Sequence, residues 1–232
     1  MSAAMSNPML HFVGTSFAPT HLKAAAIKKG LFVTDSIKDA AVVFISEDTP
    51  VVDGRRDIEK IRKLCYSVQP FTGQALVITS QVPPGFTRSF GWQNISVYHL
   101  AETLRIKDAE ERADNPEQFI IGCQRPQDPL PPAFLYYLNA FKCPIHKVTW
   151  EEAEFSKMAI NLTLASQVDN ANRLSKAAKS VGADWNKIIP ILQHDRRIGP
   201  YSYLTPGRWQ DSQHLLRDAV TLEEIETLWN IE

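Results

Sequence analysis

Lys157 and Asn161 stand four residues apart in a stretch, 149–181, that holds neither glycine nor proline. Four residues make one turn of α-helix, so the ammonium and the carboxamide project from the same face. Held rigidly, the pair can grip an oxygen-rich ligand or stabilise oxyanion character in a transition state, because neither group has to reorganise during reaction. The same side chains also fit a plainer reading, a snorkelling ammonium and a helix-side hydrogen bond at the margin of a packed face. Spacing alone leaves both open. The thiols offer less chemistry: Cys65, Cys123 and Cys143 are odd in number and have no CxxC partner or His-rich neighbourhood. That argues against a disulfide framework and a zinc site, and each reads as a small buried hydrophobe.

The helix that must position Lys157 and Asn161 opens on Thr149-Trp150-Glu151-Glu152, a capping box in which the threonine hydroxyl serves the Glu152 amide and the carboxylate reaches back. Gly182 is suited to the left-handed position that ends it. At about 100° per residue, Ile160, Leu164, Ala171, Ala178 and Val181 gather into the stripe to be buried. Lys157 and Asn161 then lie at its margin, half-buried, with Val168 and Asn172 further along the same strip. Asp184 caps a shorter helix, an irregular stretch covers 194–207, and Thr221-Leu222-Glu223-Glu224 repeats the capping-box pattern before a last helix.

Upstream, short β-branched or aromatic runs alternate with helical patterns. Strands are expected at 11–13, 42–46, 75–80, 95–98, 119–121 and 145–148, and helices at 21–29, 57–68 and 132–141. Runs such as VVFI and LVIT are apolar throughout, as in strands covered on both faces. The fold class expected is α/β: a shortened Rossmann-like parallel sheet over 1–148, followed by an all-helical domain over 149–232 built on one long central helix.

Composition narrows the partners. With 25 Lys plus Arg against 26 Asp plus Glu and 44% hydrophobic residues, the chain is ordinary globular material with a formal charge of -1. The basic pairs Lys28-Lys29, Arg55-Arg56 and Arg196-Arg197 are short and scattered, so no nucleic-acid partner is expected. The N-terminal MSAAMSNPMLHFVG lacks a signal-peptide pattern, and no apolar run is long enough to span a bilayer. No membrane association and a cytoplasmic location are the expectations.

Read together, several segments resemble the UDP-glucose/GDP-mannose dehydrogenase family. Residues 152–161, EAEFSKMAIN, are similar to its A-E-x-x-K-x-x-x-N helix, with Asn172 as the later asparagine. Asp195 to Gly199 resembles D-x-R-I-G, and Tyr203 to Gly207 the Pro-Gly that follows. Asp48-Thr49-Pro50 resembles the T-P segment, Thr79 to Gly85 the S-T-V-P-x-G turn, Ala101 to Arg105 the P-E-F-L-R element, and Asn115 to Gly122 the strand after it. Family members oxidise the primary alcohol of a sugar nucleotide to the acid in two NAD-linked steps through a cysteine thioester. Carried over by position, the resemblance implies catalytic roles for Lys157, Asn161 and Glu102. It implies NAD contacts at Gly14, Thr49, Pro50 and Ser80, and substrate contacts at Lys157, Asn161, Arg197 and Gly207. It further implies a sugar nucleotide as ligand and a homodimer formed through the long helix 149–182.

Three departures bear on the chemistry. The segment after the Pro-Gly, Gly207 to Asp218, contains no cysteine, and Arg217-Asp218 only echoes the family's terminal K-D. In the G-x-G-x-x-G position, Gly14 is kept while Ser16 and Pro19 replace the second and third glycines, which elsewhere admit the pyrophosphate and allow close helix packing. Between Gly30 and Thr34-Asp35 there is so little chain that the second strand and its ribose-binding acid are expected to be deleted, with Asp35 the nearest substitute. Two functions follow: an NAD-dependent nucleotide-sugar dehydrogenase-like protein that oxidises a CH-OH group, or a catalytically degenerate sugar-nucleotide-binding or dimeric scaffold protein. The Lys-Asn spacing also occurs in 2-hydroxyacid dehydrogenases of the 6-phosphogluconate type, against which the D-x-R-I-G and Pro-Gly segments weigh.

Overall fold

The computed structural model describes residues 7–68, 73–91 and 95–230; the reading of the first six residues lies outside them. The chain divides into two compact units, Met1–Thr49 with Asp57–Lys157, and Pro50–Arg56 with Met158–Glu232.

The first unit is built on β1 (Met9–Val13), β2 (Phe32–Val33) and β3 (Val42–Ile45), whose helix α1 (Phe17–Lys28) connects β1 to β2. Two strands of the second unit, β4 (Val51–Val52) and β5 (Arg55–Arg56), intervene before α2 (Glu59–Ser67) and β6 (Ala75–Ile78). Then come β7 (Ser96–Leu100), α3 (Ala109–Asp114), β8 (Phe119–Cys123), α4 (Pro132–Asn139) and β9 (Ile145–Thr149). Seven strands form one sheet in the order β2-β1-β3-β6-β7-β8-β9. All neighbours are parallel except β7 and β8, which pair antiparallel through His99 with Gly122 and Leu100 with Ile121. Their connection carries one short α-helix, α3, of six residues.

The apolar runs are buried on both faces. Val42 and Phe44 join Leu10, Phe134 and Tyr137 on one side, while Val43 and Ile45 join Ile61 and Cys65 on the other. One expectation is corrected here: the second strand is not deleted. Phe32 and Val33 pair in parallel with Met9 and Leu10, giving a two-residue edge strand.

Helix α5 (Trp150–Ser180) begins in the first unit and continues into the second. Its capping box forms as read, with the Thr149 amide donating to the Glu152 carboxylate at 2.7 Å and the Glu152 amide to the Thr149 hydroxyl at 3.3 Å. Its seat on the first unit depends on Gly122, where a Cβ would lie 2.9 Å from the Ala153 Cβ and 3.0 Å from the Trp150 Cα. Glu154, buried one turn into the helix, accepts from the amides of Gly85 and Thr87 at 2.6 and 2.9 Å and from the Thr87 hydroxyl at 2.6 Å.

In the second unit the buried positions of α5 are Met158, Asn161, Ala165, Val168, Ala171 and Ala178. This moves the stripe from the one expected. Ile160 and Leu164 are only half-buried and Val181 is 79% exposed, so Asn161 lies inside the buried face and not at its margin. Asp184 caps α6 (Trp185–His194) by accepting from the Asn186 amide at 3.0 Å. The last helix, α7 (Gln213–Trp229), runs straight through the expected capping box at Thr221. The reason is local: the Thr221 hydroxyl donates to the Arg217 carbonyl at 2.8 Å, four residues back, and is buried, a bond made within a helix and not at its start. The β4–β5 ribbon belongs to this unit and packs on α7.

Candidate functional site

The residues expected to hold a cofactor gather around the segment that follows β3. Gly14, at the end of β1, has φ +131°, and a Cβ there would fall 1.7 Å from the Ser46 carbonyl oxygen. Only glycine lets the turn after β1 lie so close to the end of β3. Ser80, after β6, accepts from the Glu47 amide at 2.6 Å and donates to the Glu47 carbonyl at 2.8 Å. Thr49 is buried, donates its hydroxyl to the Gln81 carbonyl at 2.7 Å, and receives the Asp48 carboxylate on its amide at 3.0 Å. Pro50 begins the second unit.

What the turn holds is a carboxylate. Glu47 accepts from the Thr15 amide at 2.9 Å and hydroxyl at 2.8 Å, and its Oε2 lies 2.8 Å from the Lys60 ammonium. Burial opposes ionisation of Glu47, but the Lys60 ammonium and the two Thr15 donors outweigh it and hold the carboxyl below its ordinary value. Asp35, the possible ribose acid, follows β2 and pairs with Lys23 of α1 at 2.8 Å.

Glu102 lines a pocket of the first unit with Leu22, Arg112, Gln118 and Tyr137, and its carboxylate accepts from the Leu104 amide two residues on. Lys157 stands half-buried on α5.

Asn161 is part of a buried polar cluster in the second unit. Its carboxamide donates to the Asp218 carboxylate at 2.8 Å and to the His214 carbonyl at 3.3 Å. On its other oxygen Asp218 meets the Arg56 guanidinium at 3.1 Å, and both side chains are sealed, 1% and 0% exposed. Arg56 also donates to the Thr221 hydroxyl at 3.1 Å. Charges withdrawn this far from water persist only when paired and hydrogen-bonded.

The irregular stretch after α6 is tied to α5. Asn172 donates to the Gly207 carbonyl at 2.8 Å and accepts from its amide at 2.9 Å; Gln167 receives the Tyr203 amide at 2.8 Å, and Asp169 the Trp209 indole at 2.9 Å. Arg197 has a side chain 89% exposed and is bonded to Asp195 of its own loop at 2.7 Å. The structure therefore joins Asn172 to Gly207 and gathers Gly14, Thr49 and Ser80 near residues 46–49, while Asn161 is engaged by Asp218.

No thiol is primed as a nucleophile. Burial pushes Cys65 up to about 12 and Cys123 to about 11, and raises Cys143 as well, so each stays protonated near neutrality. The residues to which sequence reading gave no role are Glu47, Arg56 and Glu154, the last quoted only as the acid of the A-E-x-x-K stretch. Glu47 was visible as an acid directly after a fully apolar strand, and Arg56 only as half of a basic pair.

Comparison with known proteins adds likenesses for the chain as a whole. A model of the UDP-glucose/GDP-mannose dehydrogenase family, central domain, matches residues 151–225. An uncharacterized protein of Methanocaldococcus jannaschii is 30% identical over 190 residues, 75% of this chain and 21% of that protein. UDP-glucose 6-dehydrogenase of Rattus norvegicus is 28% identical over 193 residues, covering 72% of this chain and 38% of the enzyme. This chain thus matches well under half the length of these relatives. Among solved structures, a UDP-glucose dehydrogenase from the hyperthermophilic archaeon Pyrobaculum islandicum superposes with a TM-score of 0.78 at 21% identity, over 100% of this chain and 67% of that one. GDP-mannose dehydrogenase from Pseudomonas aeruginosa gives 0.61 at 23% identity, over 94% and 55%. At these identities the structures speak for the fold.

Proposed function

This chain is a divergent member of the UDP-glucose/GDP-mannose dehydrogenase family, and on that premise we propose that it binds a sugar nucleotide without oxidising it. The family elements fall into two groups that have fared differently. On the substrate side Lys157, Asn172, Arg197 and Gly207 are present, Asn161 is present but bonded to Asp218, and the loop that carries Arg197 and Gly207 is held to α5 by the paired Asn172–Gly207 bonds. On the chemical side Glu102 is kept, but the thiol and the glycine-rich turn are not. The segment 207–218 has no cysteine, and the phosphate turn holds Glu47.

The observation that carries the reading is the Asn161–Asp218–Arg56 cluster. A carboxamide that donates to a buried carboxylate, itself paired with a buried guanidinium, is engaged within the protein, and this supports a reading in which it does not follow a change of charge on a reacting sugar. Arg197 is exposed and suited to phosphate, which would compete with the Asp195 carboxylate for its guanidinium. In this reading the chain also self-associates along α5, where Phe155 and Leu174 stay exposed.

Calorimetric titration with UDP-glucose and GDP-mannose tests the proposal. A saturable heat from at least one of them is the expected result, reduced in an Arg197→Ala variant. No heat from either, in a protein that sediments as a dimer, would leave a dimeric scaffold in its place.

A further inference from the structure

Helix α1 is twelve residues long, and the turn before it is where a dinucleotide-binding fold presents backbone N–H groups and the helix dipole to a pyrophosphate. Whether this turn fits that group can be tested on its donors. The Thr15 amide and hydroxyl both point at the Glu47 carboxylate, at 2.9 and 2.8 Å. Ser16, the residue preceding the helix, makes no capping bond and has its hydroxyl 3.0 Å from that of Ser46. Pro19, in the first turn of the helix, has no N–H to give. The nearby cation, Lys60, is paired with the same carboxylate at 2.8 Å.

Glu47 is not there by chance of a flexible side chain. Its backbone amide and carbonyl are both bonded to the Ser80 hydroxyl, the residue is buried, and the close approach of Gly14 to Ser46 fixes the distance across which it meets Thr15. An incoming pyrophosphate would meet a negative charge where it needs donors, with the Thr15 donors already engaged.

We infer that the first unit carries its own anion, the Glu47 carboxylate, in place of a cofactor phosphate, and that this internal ion pair with Lys60 closes the turn to dinucleotides. The residues present do not fit NAD. Thr15, Glu47 and Lys60 instead tie together the turn after β1, the end of β3 and helix α2. The inference rests on the family reading for the class of ligand excluded and on nothing in the second unit, so its failure would leave sugar-nucleotide binding standing.

The test is calorimetric titration of the full chain with NAD+ and, separately, inorganic pyrophosphate. The unaltered protein is expected to show no saturable binding of either up to millimolar concentration. Glu47→Ala, which releases the Thr15 donors and Lys60, is expected to gain pyrophosphate binding by at least about tenfold, and adding Lys60→Ala is expected to remove the gain. Should Glu47→Ala not fold by circular dichroism, Glu47→Gln, which keeps the shape and removes the charge, takes its place. Submillimolar binding of NAD+ or pyrophosphate by the unaltered chain overturns the inference, as does a folded Glu47 variant that gains nothing.

Discussion

Asn161 donates its carboxamide N–H to the Asp218 carboxylate at 2.8 Å, deep in the second unit. The asparagine that spacing and resemblance assign to a sugar is thus part of the protein's own packing. Asp218 in turn requires Arg56, which reaches it from the β4–β5 ribbon.

Removing Arg56 isolates that carboxylate. Breaking one side of a buried ion pair costs about 3–5 kcal/mol, because the surviving charge has neither water nor partner. Arg56→Ala is therefore expected to lower the stability of the second unit by that amount in urea unfolding followed by circular dichroism and tryptophan fluorescence. Arg56→Met combined with Asp218→Leu should recover much of the loss. A cost below about 1 kcal/mol for Arg56→Ala would show that Asp218 does not depend on the guanidinium.

Glycine positions separate two kinds of constraint. Gly14→Ala meets both a strained φ of +131° and the Ser46 carbonyl at 1.7 Å, and is expected to cost more than about 3 kcal/mol or to prevent folding. Gly30→Ala also sits at positive φ, +77°, but has nothing within 4 Å, and should cost only about 1 kcal/mol. Equal effects in thermal melts would contradict the close approach of β1 and β3.

Glu154 gives stability a pH dependence of known sign. Burial raises its carboxyl from 4.5 to about 7, held from going higher by the donors from Thr87 and Gly85. Because the folded state holds the proton more tightly than the unfolded one, its contribution is fully present below 4.5 and is lost as pH rises through about 7. His99 works in the opposite direction: burial pushes it from 6.5 to about 3, so stability rises with pH across that interval. The clean readout is the difference between the unaltered chain and Glu154→Gln, which is expected to fall with pH between 4.5 and 7 and to be flat above. A difference independent of pH would place the Glu154 titration elsewhere.

Asn172 holds the loop that carries Arg197. Asn172→Ala removes both bonds to Gly207, and cleavage by trypsin at the exposed Arg196, Arg197 and Arg208 is expected to accelerate by roughly fivefold to tenfold, a net loss near 1 kcal/mol. Asn172→Asp keeps only the acceptor for the Gly207 amide and should fall between. Unchanged cleavage would mean that Gln167 and Asp169 hold the loop without it.

Much of the architecture was legible because it follows from local chemistry. The capping box at Thr149, the cap at Asp184 and the doubly buried strands all formed where composition placed them. The second strand escaped notice because two residues, Phe32 and Val33, carry no periodicity, and only pairing with β1 reveals them. Thr221 looked like a helix start since Thr-x-x-Glu is a local pattern; the bond to the Arg217 carbonyl that overrides it belongs to a helix already begun eight residues earlier. The site was legible as a set of residue types, but not as a set of partners. Arg56 and Asp218 are 162 positions apart in the chain, and nothing in either neighbourhood signals that they neutralise each other.

Native mass spectrometry of the chain incubated with UDP-glucose or GDP-mannose and NAD+ tests binding without oxidation most directly, since it weighs both the bound species and its oxidation state. The expected spectrum shows the protein with unaltered sugar nucleotide and no dinucleotide. A bound NAD species, or a sugar nucleotide converted to the aldehyde or acid, would contradict it.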